Sequence, residues 1–489
     1  MTLFSFHVIR SSYIFRLFRV FRCYQCFLTC LACVGLSSRA MAMTVNDSVV
    51  PPRYSYEVKV NPGTVLATDK YVRKWLKTKR TWALAAELHY TPQPQDCDAF
   101  AKDYNYPTFS LGLRYSFNHG TAMHREKDPD WGLFEPVDYD TPLGNVVTVY
   151  GTFSRPLYRS KHWELAYFLG CGIGYSHLVY NTTDQIDNEL IGSHLNIYFT
   201  AGASATYRIN KNWGIKGGID FSHHSNGALY RPNKGTNYFG PFIGIVYYPT
   251  NTSLTSPNPS CRRGIQQDCV LPLQGESEGV TTLNSQPQTT KDTNDTNHHL
   301  AQRDPKLSTL DPRPKHWFAE FSLGIGAKTL LEDWQKTHFQ TEPGAPDYCT
   351  DRFKVYAAYS LQADVLYRYA RRWASGVGID LFYGSYSNHV KAMDEADGYQ
   401  DKHSPWSVGI AAKHEVFYGN LSVRMGIGYY LFRQMGHSAQ LIEKPYYERI
   451  GVHYAFPKLN NLSIGFNVNA HLTKADFTEI QISYPIRLK

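Results

Sequence analysis

The sequence predicts an all-β fold, two antiparallel up-and-down eight-stranded barrels of the outer-membrane type joined by a disordered linker. Three observations carry this expectation. Apolar and polar residues alternate with period two over runs longer than a soluble strand needs. Aromatic residues make up 15% of the 489, with Tyr leading. A polar tract containing Pro divides the chain near its middle. The length points to at least two domains, and the mean hydropathy of −0.39 excludes a helical membrane bundle.

Residues 1–42 hold Arg10, Arg16, Arg19, Arg22 and Arg39 and no acid, followed by the apolar run "CFLTCLACVGLSS" and the small-x-small triplet Ala40-Met41-Ala42. This is the pattern of a secretory signal peptide cut after Ala42. A lipoprotein reading through Cys33 is weaker, because Cys30 stands where Leu is expected. Cleavage leaves 45 basic residues against 42 acidic ones, so the mature chain is nearly balanced and gives no argument for a nucleic-acid partner. Cys97, Cys171, Cys261, Cys269 and Cys349 remain, too few and too scattered for a disulfide framework or a zinc site.

Residues 43–250 form the first expected barrel. In "TFSLGLRYSF", Phe109, Leu111, Leu113, Tyr115 and Phe117 alternate with Thr108, Ser110, Gly112, Arg114 and Ser116. Eight such runs fall near 53–60, 80–90, 107–117, 145–155, 163–176, 194–208, 212–225 and 236–248. Residues 251–315 turn to Ser, Thr, Asn, Gln and Pro, a composition that cannot bury a core. Residues 316–489 form the second expected barrel, with eight runs near 316–327, 354–369, 372–387, 405–417, 419–432, 446–456, 461–473 and 476–488. Long alternating strands, aromatic strand ends and a signal peptide together indicate insertion in an outer membrane. A soluble pair of lipocalin-like barrels is the alternative fold.

One stretch carries chemistry: "GIDFSHHSNGALYRPNKGTN", residues 218–237. Counting back from Ser225 by twos gives His223, Phe221, Ile219, Gly217, Ile215 and Trp213, an apolar and therefore lipid-facing set. His224, Ser222, Asp220, Gly218 and Lys216 belong to the lumen. On the next strand Asn237 shares its phase with Phe239, Pro241, Ile243, Ile245 and Tyr247 and also points outward. A Ser hydroxyl needs a base to become a nucleophile, and His223 can serve. Asn237 can orient the imidazole, while Asn226 or backbone N–H groups around Gly227 can bind an oxyanion. Read singly, Asn226-Gly227 is a turn signal and His or Ser near a strand end is ordinary. Exposing His and Ser together to lipid is costly unless they are paired and used.

The stretch "FSHHSNGALYRPNKGTN" resembles the lipid A 3-O-deacylases, or acyloxyacyl hydrolases, which carry H-x-S-N and a short loop before the last strand. That resemblance implies an outer-membrane serine esterase that removes an ester-linked acyl chain from lipid A in the outer leaflet. His223 would be the base, Ser225 the nucleophile and Asn226 an oxyanion donor, with no cofactor. The well-known members have Glu where this chain has Asn237. Outer-membrane phospholipase A enzymes look similar here too, with H-x-S-N-G and an orienting Asn at the same spacing, but they are twelve-stranded and calcium-assisted. A non-catalytic, porin-like barrel is a further alternative.

The second part looks like a diverged copy of the first, with "NNLSIGFNVNAHLTKADFTEIQISYP" opposite the motif strands. There His471 and Thr473 share the polar phase of Asn469, Asn467, Gly465 and Ser463, so this barrel is expected to be non-catalytic. No metal site is expected: His223 and His224 are strand neighbours facing opposite ways, and His298-His299 lie in the linker.

Overall fold

The computed structural model describes residues 49–96, 98–126, 140–249, 315–471 and 474–488. The expected signal peptide, nearly all of the expected linker, Cys97, Cys261, Cys269, His298, His299 and Thr473 lie outside the described residues. Cys171 is exposed and Cys349 buried, both as free thiols.

Sixteen long strands make two closed barrels. In the first, β1 (Tyr54–Val65), β2 (Leu76–Tyr90), β3 (Thr108–Phe117), β4 (Val146–Arg159), β5 (Trp163–Ser176), β6 (Leu195–Arg208), β7 (Trp213–Ser225) and β8 (Thr236–Tyr247) pair antiparallel in chain order. β8 returns to β1, with Tyr56 opposite Tyr247 and Val60 opposite Ile243, which closes the barrel. Two short strands, Thr121–Met123 and Thr141–Pro142, prolong the rim above β2. The second barrel comprises β9 (His316–Lys328), β10 (Tyr356–Ala370), β11 (Trp373–Gly384), β12 (His403–Tyr418), β13 (Leu421–Met435), β14 (Tyr446–Phe456), β15 (Leu462–His471) and β16 (Lys474–Arg487). The rim above β9–β10 and β11–β12 also carries short helices, Leu331–Gln335 and Ser387–Ala396, which strand periodicity does not foresee.

Alternation decides which side each residue faces. Val58 is 56% exposed and its neighbour Glu57 1%. Both lumens are filled with paired charges, because a buried ion is tolerated only with its counter-ion. In the first barrel Lys59 meets Glu87 at 2.5 Å, Lys216 meets Glu57 at 2.8 Å and Arg114 meets Asp220 at 2.7 Å. In the second, Lys413 meets Asp380 at 2.8 Å and Arg424 meets Glu320 at 2.7 Å. A lumen packed this way is a polar core and leaves no argument for a porin-like pore.

The barrels stand side by side in the same sense. We call the rim that carries the β7–β8 hairpin the upper one. There Tyr180 Oη donates to the Cys349 carbonyl at 2.7 Å, and His338 Nε2 lies 3.1 Å from Glu189 Oε1. At the lower rim Tyr104 Oη donates to the Phe417 carbonyl at 2.9 Å, and Tyr418 Oη donates to Asp98 at 3.1 Å.

Candidate active site on the outer wall

The site is built at the upper ends of β7 and β8. Antiparallel pairing places Asn237 directly opposite His223, and Thr236 opposite His224. His223 Nδ1 and Asn237 Oδ1 are 2.9 Å apart, and because Oδ1 can only accept, the ring nitrogen donates. Asn237 is fixed from its other end: its Nδ2 donates to Thr68 Oγ1 at 3.2 Å, in the β1–β2 connection. With Nδ1 protonated and held, the lone pair of a neutral imidazole is on Nε2.

Ser225 lies two residues along β7 on the same face as His223, and both are half-buried. Two strand steps separate their backbones by roughly 6.6 Å, and among the described residues no hydrogen bond joins Ser225 Oγ to His223. Ser225 pairs across β6 with Ile197, and His223 with Phe199, so apolar side chains flank both polar groups. His224 faces the lumen, where it is fully buried with Nε2 3.0 Å from Thr148 Oγ1. The two neighbouring histidines therefore have separate environments, as the alternation requires.

The loop after Ser225 is held tightly. Gly227, at φ +63, and Ala228, at φ +71, turn the chain through the left-handed region. The Asn226 N–H donates to Asn233 Oδ1 at 3.0 Å, so that backbone donor is occupied. The Asn226 side chain is buried, its Oδ1 accepting from the Tyr230 N–H at 3.4 Å while Nδ2 has no partner. Of the groups expected to hold an oxyanion, the Asn226 N–H is thus taken, while the buried Asn226 amide nitrogen has no partner. Gly235, at φ +70, closes the hairpin against the imidazole: a Cβ there would lie 2.7 Å from His223 Cε1.

The sequence offers no sign of Thr68, Asn233 or Gly235 as supports of this arrangement. Thr68 is 169 residues from Asn237, and only barrel closure brings the two together.

His471 is buried inside the second barrel, with Nδ1 3.1 Å from the Tyr446 carbonyl and Nε2 3.4 Å from Asp476. It does not share a surface with His223. Two groups of potential metal ligands exist among the described residues, Glu57, Glu87 and His89 in one lumen and Glu443, His471 and Asp476 in the other. Lys59 and Lys216 already neutralise the first set. Lys328 and Arg433 neutralise the second.

No curated protein matches the chain. Among solved structures, similarity extends to the crystal structure of the outer membrane enzyme PagL, at 14% identity over 38% of this chain and 97% of that one, with a TM-score of 0.25. The N-terminal β-barrel domain of Pseudomonas aeruginosa OprF is 12% identical over 40% of this chain and 96% of that one, at 0.20. Yersinia pestis Ail is 12% identical over 40% and 97%, also at 0.20. At the level of families, residues 97–245 match "Lipid A 3-O-deacylase (PagL)" and residues 317–488 match "Acyloxyacyl hydrolase, C-terminal domain". One match falls in each barrel, so the first barrel is similar to the lipid A 3-O-deacylases and the second to the C-terminal domain of acyloxyacyl hydrolases.

Proposed function

We propose that the protein is an outer-membrane serine esterase that removes an ester-linked acyl chain from lipid A in the outer leaflet, using Ser225, His223 and Asn237. The observation that carries this reading is the 2.9 Å hydrogen bond from His223 Nδ1–H to Asn237 Oδ1 on the outward face that also holds Ser225. The match of residues 97–245 to the lipid A 3-O-deacylase family supports the substrate class. The closure of each barrel with eight strands argues for a deacylase rather than a phospholipase A-like enzyme of twelve.

In the mechanism, His223 Nε2 takes the proton of Ser225 Oγ as that oxygen attacks the ester carbonyl carbon of a chain lying along the barrel wall. The carbonyl oxygen becomes an oxyanion, which Asn226 Nδ2–H stabilises. Collapse breaks the ester C–O bond, His223 returns the proton to the departing alkoxide, and an acyl-Ser225 ester remains. Water then attacks that ester with His223 again as base, releasing the fatty acid and restoring Ser225. Asn237 keeps Nδ1 protonated and the ring aimed throughout, but as a neutral amide it stabilises the imidazolium less than a carboxylate does. Ser225→Ala in the purified, folded protein is expected to abolish release of fatty acid from lipid A. Unchanged release by that variant would defeat the proposal.

A further inference from the structure

His471 of the second barrel is buried in its lumen, yet this barrel touches the loop that follows Ser225. Thr329, directly after β9, is buried. Its N–H donates to the Ala228 carbonyl at 2.8 Å and its Oγ1 donates to the same oxygen at 3.0 Å. In return the Thr329 carbonyl accepts from Arg231 Nε at 3.2 Å and Nη2 at 2.9 Å. On β16, Thr478 abuts Gly227 closely enough that a Cβ on that glycine would lie 2.2 Å from Thr478 Cγ2.

These contacts converge where the backbone needs help. Ala228 is a non-glycine residue at φ +71, a conformation that sets its Cβ against its own carbonyl and persists only when the surroundings over-determine it. Asn226, two residues earlier and next to Ser225 in the chain, carries a buried amide nitrogen without a partner. The Leu229 N–H donates to the Asn226 carbonyl at 3.3 Å, which ties Asn226 to the turn that Ala228 shapes.

We propose that the second barrel is a positioning element for the esterase site of the first, with Thr329 clamping Ala228 in the left-handed region so that Asn226 stays aimed at the oxyanion. The inference rests on the Ser225 esterase reading. It gives the second barrel a role in catalysis without any group of its own touching substrate, and makes Thr329 and Arg231 positioning residues.

The test uses the full chain, with steady-state hydrolysis of lipid A by Thr329→Val, Thr329→Ser, Thr329→Val combined with Ala228→Gly, and Ser225→Ala, each checked for folding by thermal unfolding. Thr329→Val loses one hydrogen bond to Ala228. It should lower kcat about threefold to tenfold with KM unchanged, because the donor acts on the transition state. Thr329→Ser keeps the hydroxyl and should match the parent. Ala228→Gly removes the cost of the left-handed conformation and should restore kcat in the Thr329→Val background. A folded Thr329→Val with parental kcat, a loss seen only in KM, a Thr329→Ser as slow as Thr329→Val, or a double variant that stays slow would each overturn the inference. In all these cases an inactive Ser225→Ala leaves the esterase reading standing. If Ser225→Ala remains active, both fall.

Discussion

Replacing Asn237 with Ala removes the acceptor 2.9 Å from His223 Nδ1 and leaves the rest of the hairpin backbone in place. The lost bond is between neutral groups, worth about 0.5–1.5 kcal/mol net, or about twofold to twelvefold in rate. The imidazole also loses its preference for the tautomer with Nε2 free and is no longer oriented. General-base assistance as a whole is worth about 10²–10⁴, which sets an upper bound. We therefore expect Asn237→Ala to lower kcat about tenfold to a hundredfold, less than Ser225→Ala. Asn237→Asp keeps the shape, and Thr68 Oγ1 can turn to donate to the new carboxylate, so this variant should match or exceed the parent near neutral pH. The assay is ester hydrolysis by purified, folded protein over a pH series. Parental turnover by Asn237→Ala would show that Asn237 is not the orienting group.

Further outcomes follow from the lumens and the upper rim. Asp220 accepts from Arg114 at 2.7 Å, Thr200 at 2.6 Å and Asn61 at 3.1 Å, so Asp220→Ala strands a buried cation. It should cost roughly 3–5 kcal/mol in a folding equilibrium, and an unfolding midpoint equal to the parent's would contradict that estimate. His471→Ala, inside the second barrel, should leave hydrolysis unchanged; loss of activity in a folded protein would assign His471 a part in the reaction. Burial raises the Glu189 carboxyl, but Lys234 and His338 outweigh this and hold it at about 2 against an ordinary 4.5. A depressed carboxylate stabilises the fold above its unfolded value and loses that contribution as pH falls toward its folded one. The stability advantage of the parent over Glu189→Gln should therefore be full near pH 7 and shrink between about pH 4.5 and 2. A pH-independent difference would show that the Glu189 charge is not what Lys234 and His338 recognise.

The barrel strands were legible because one physical constraint, lipid on one side and a polar lumen on the other, repeats along each of them. The phases of Val58 and Glu57, or of His223 and His224, follow from it directly. Knowing that phase also placed His223, Ser225 and Asn237 on one face, whereas the register that sets Asn237 directly opposite His223 is a finding of the structure. The rim was not legible. Leu331–Gln335 is too short to show a helical period and is ordered by contacts such as the stacking of Trp334 on His338. Thr329 and Ala228 are 101 residues apart, and no local pattern in either announces that two barrels will meet there. The expectation that Asn226 or the backbone around Gly227 serves the oxyanion narrows for the same reason: Asn233 occupies the Asn226 N–H across the loop.

The most direct test of the account is mass spectrometry of lipid A incubated with the purified parent and with Ser225→Ala, each shown to be folded. The parent should remove one ester-linked acyl chain and Ser225→Ala should leave the lipid intact. Intact lipid A after incubation with the folded parent, or the same loss with Ser225→Ala, would contradict the assignment of Ser225 as the nucleophile of a lipid A deacylase.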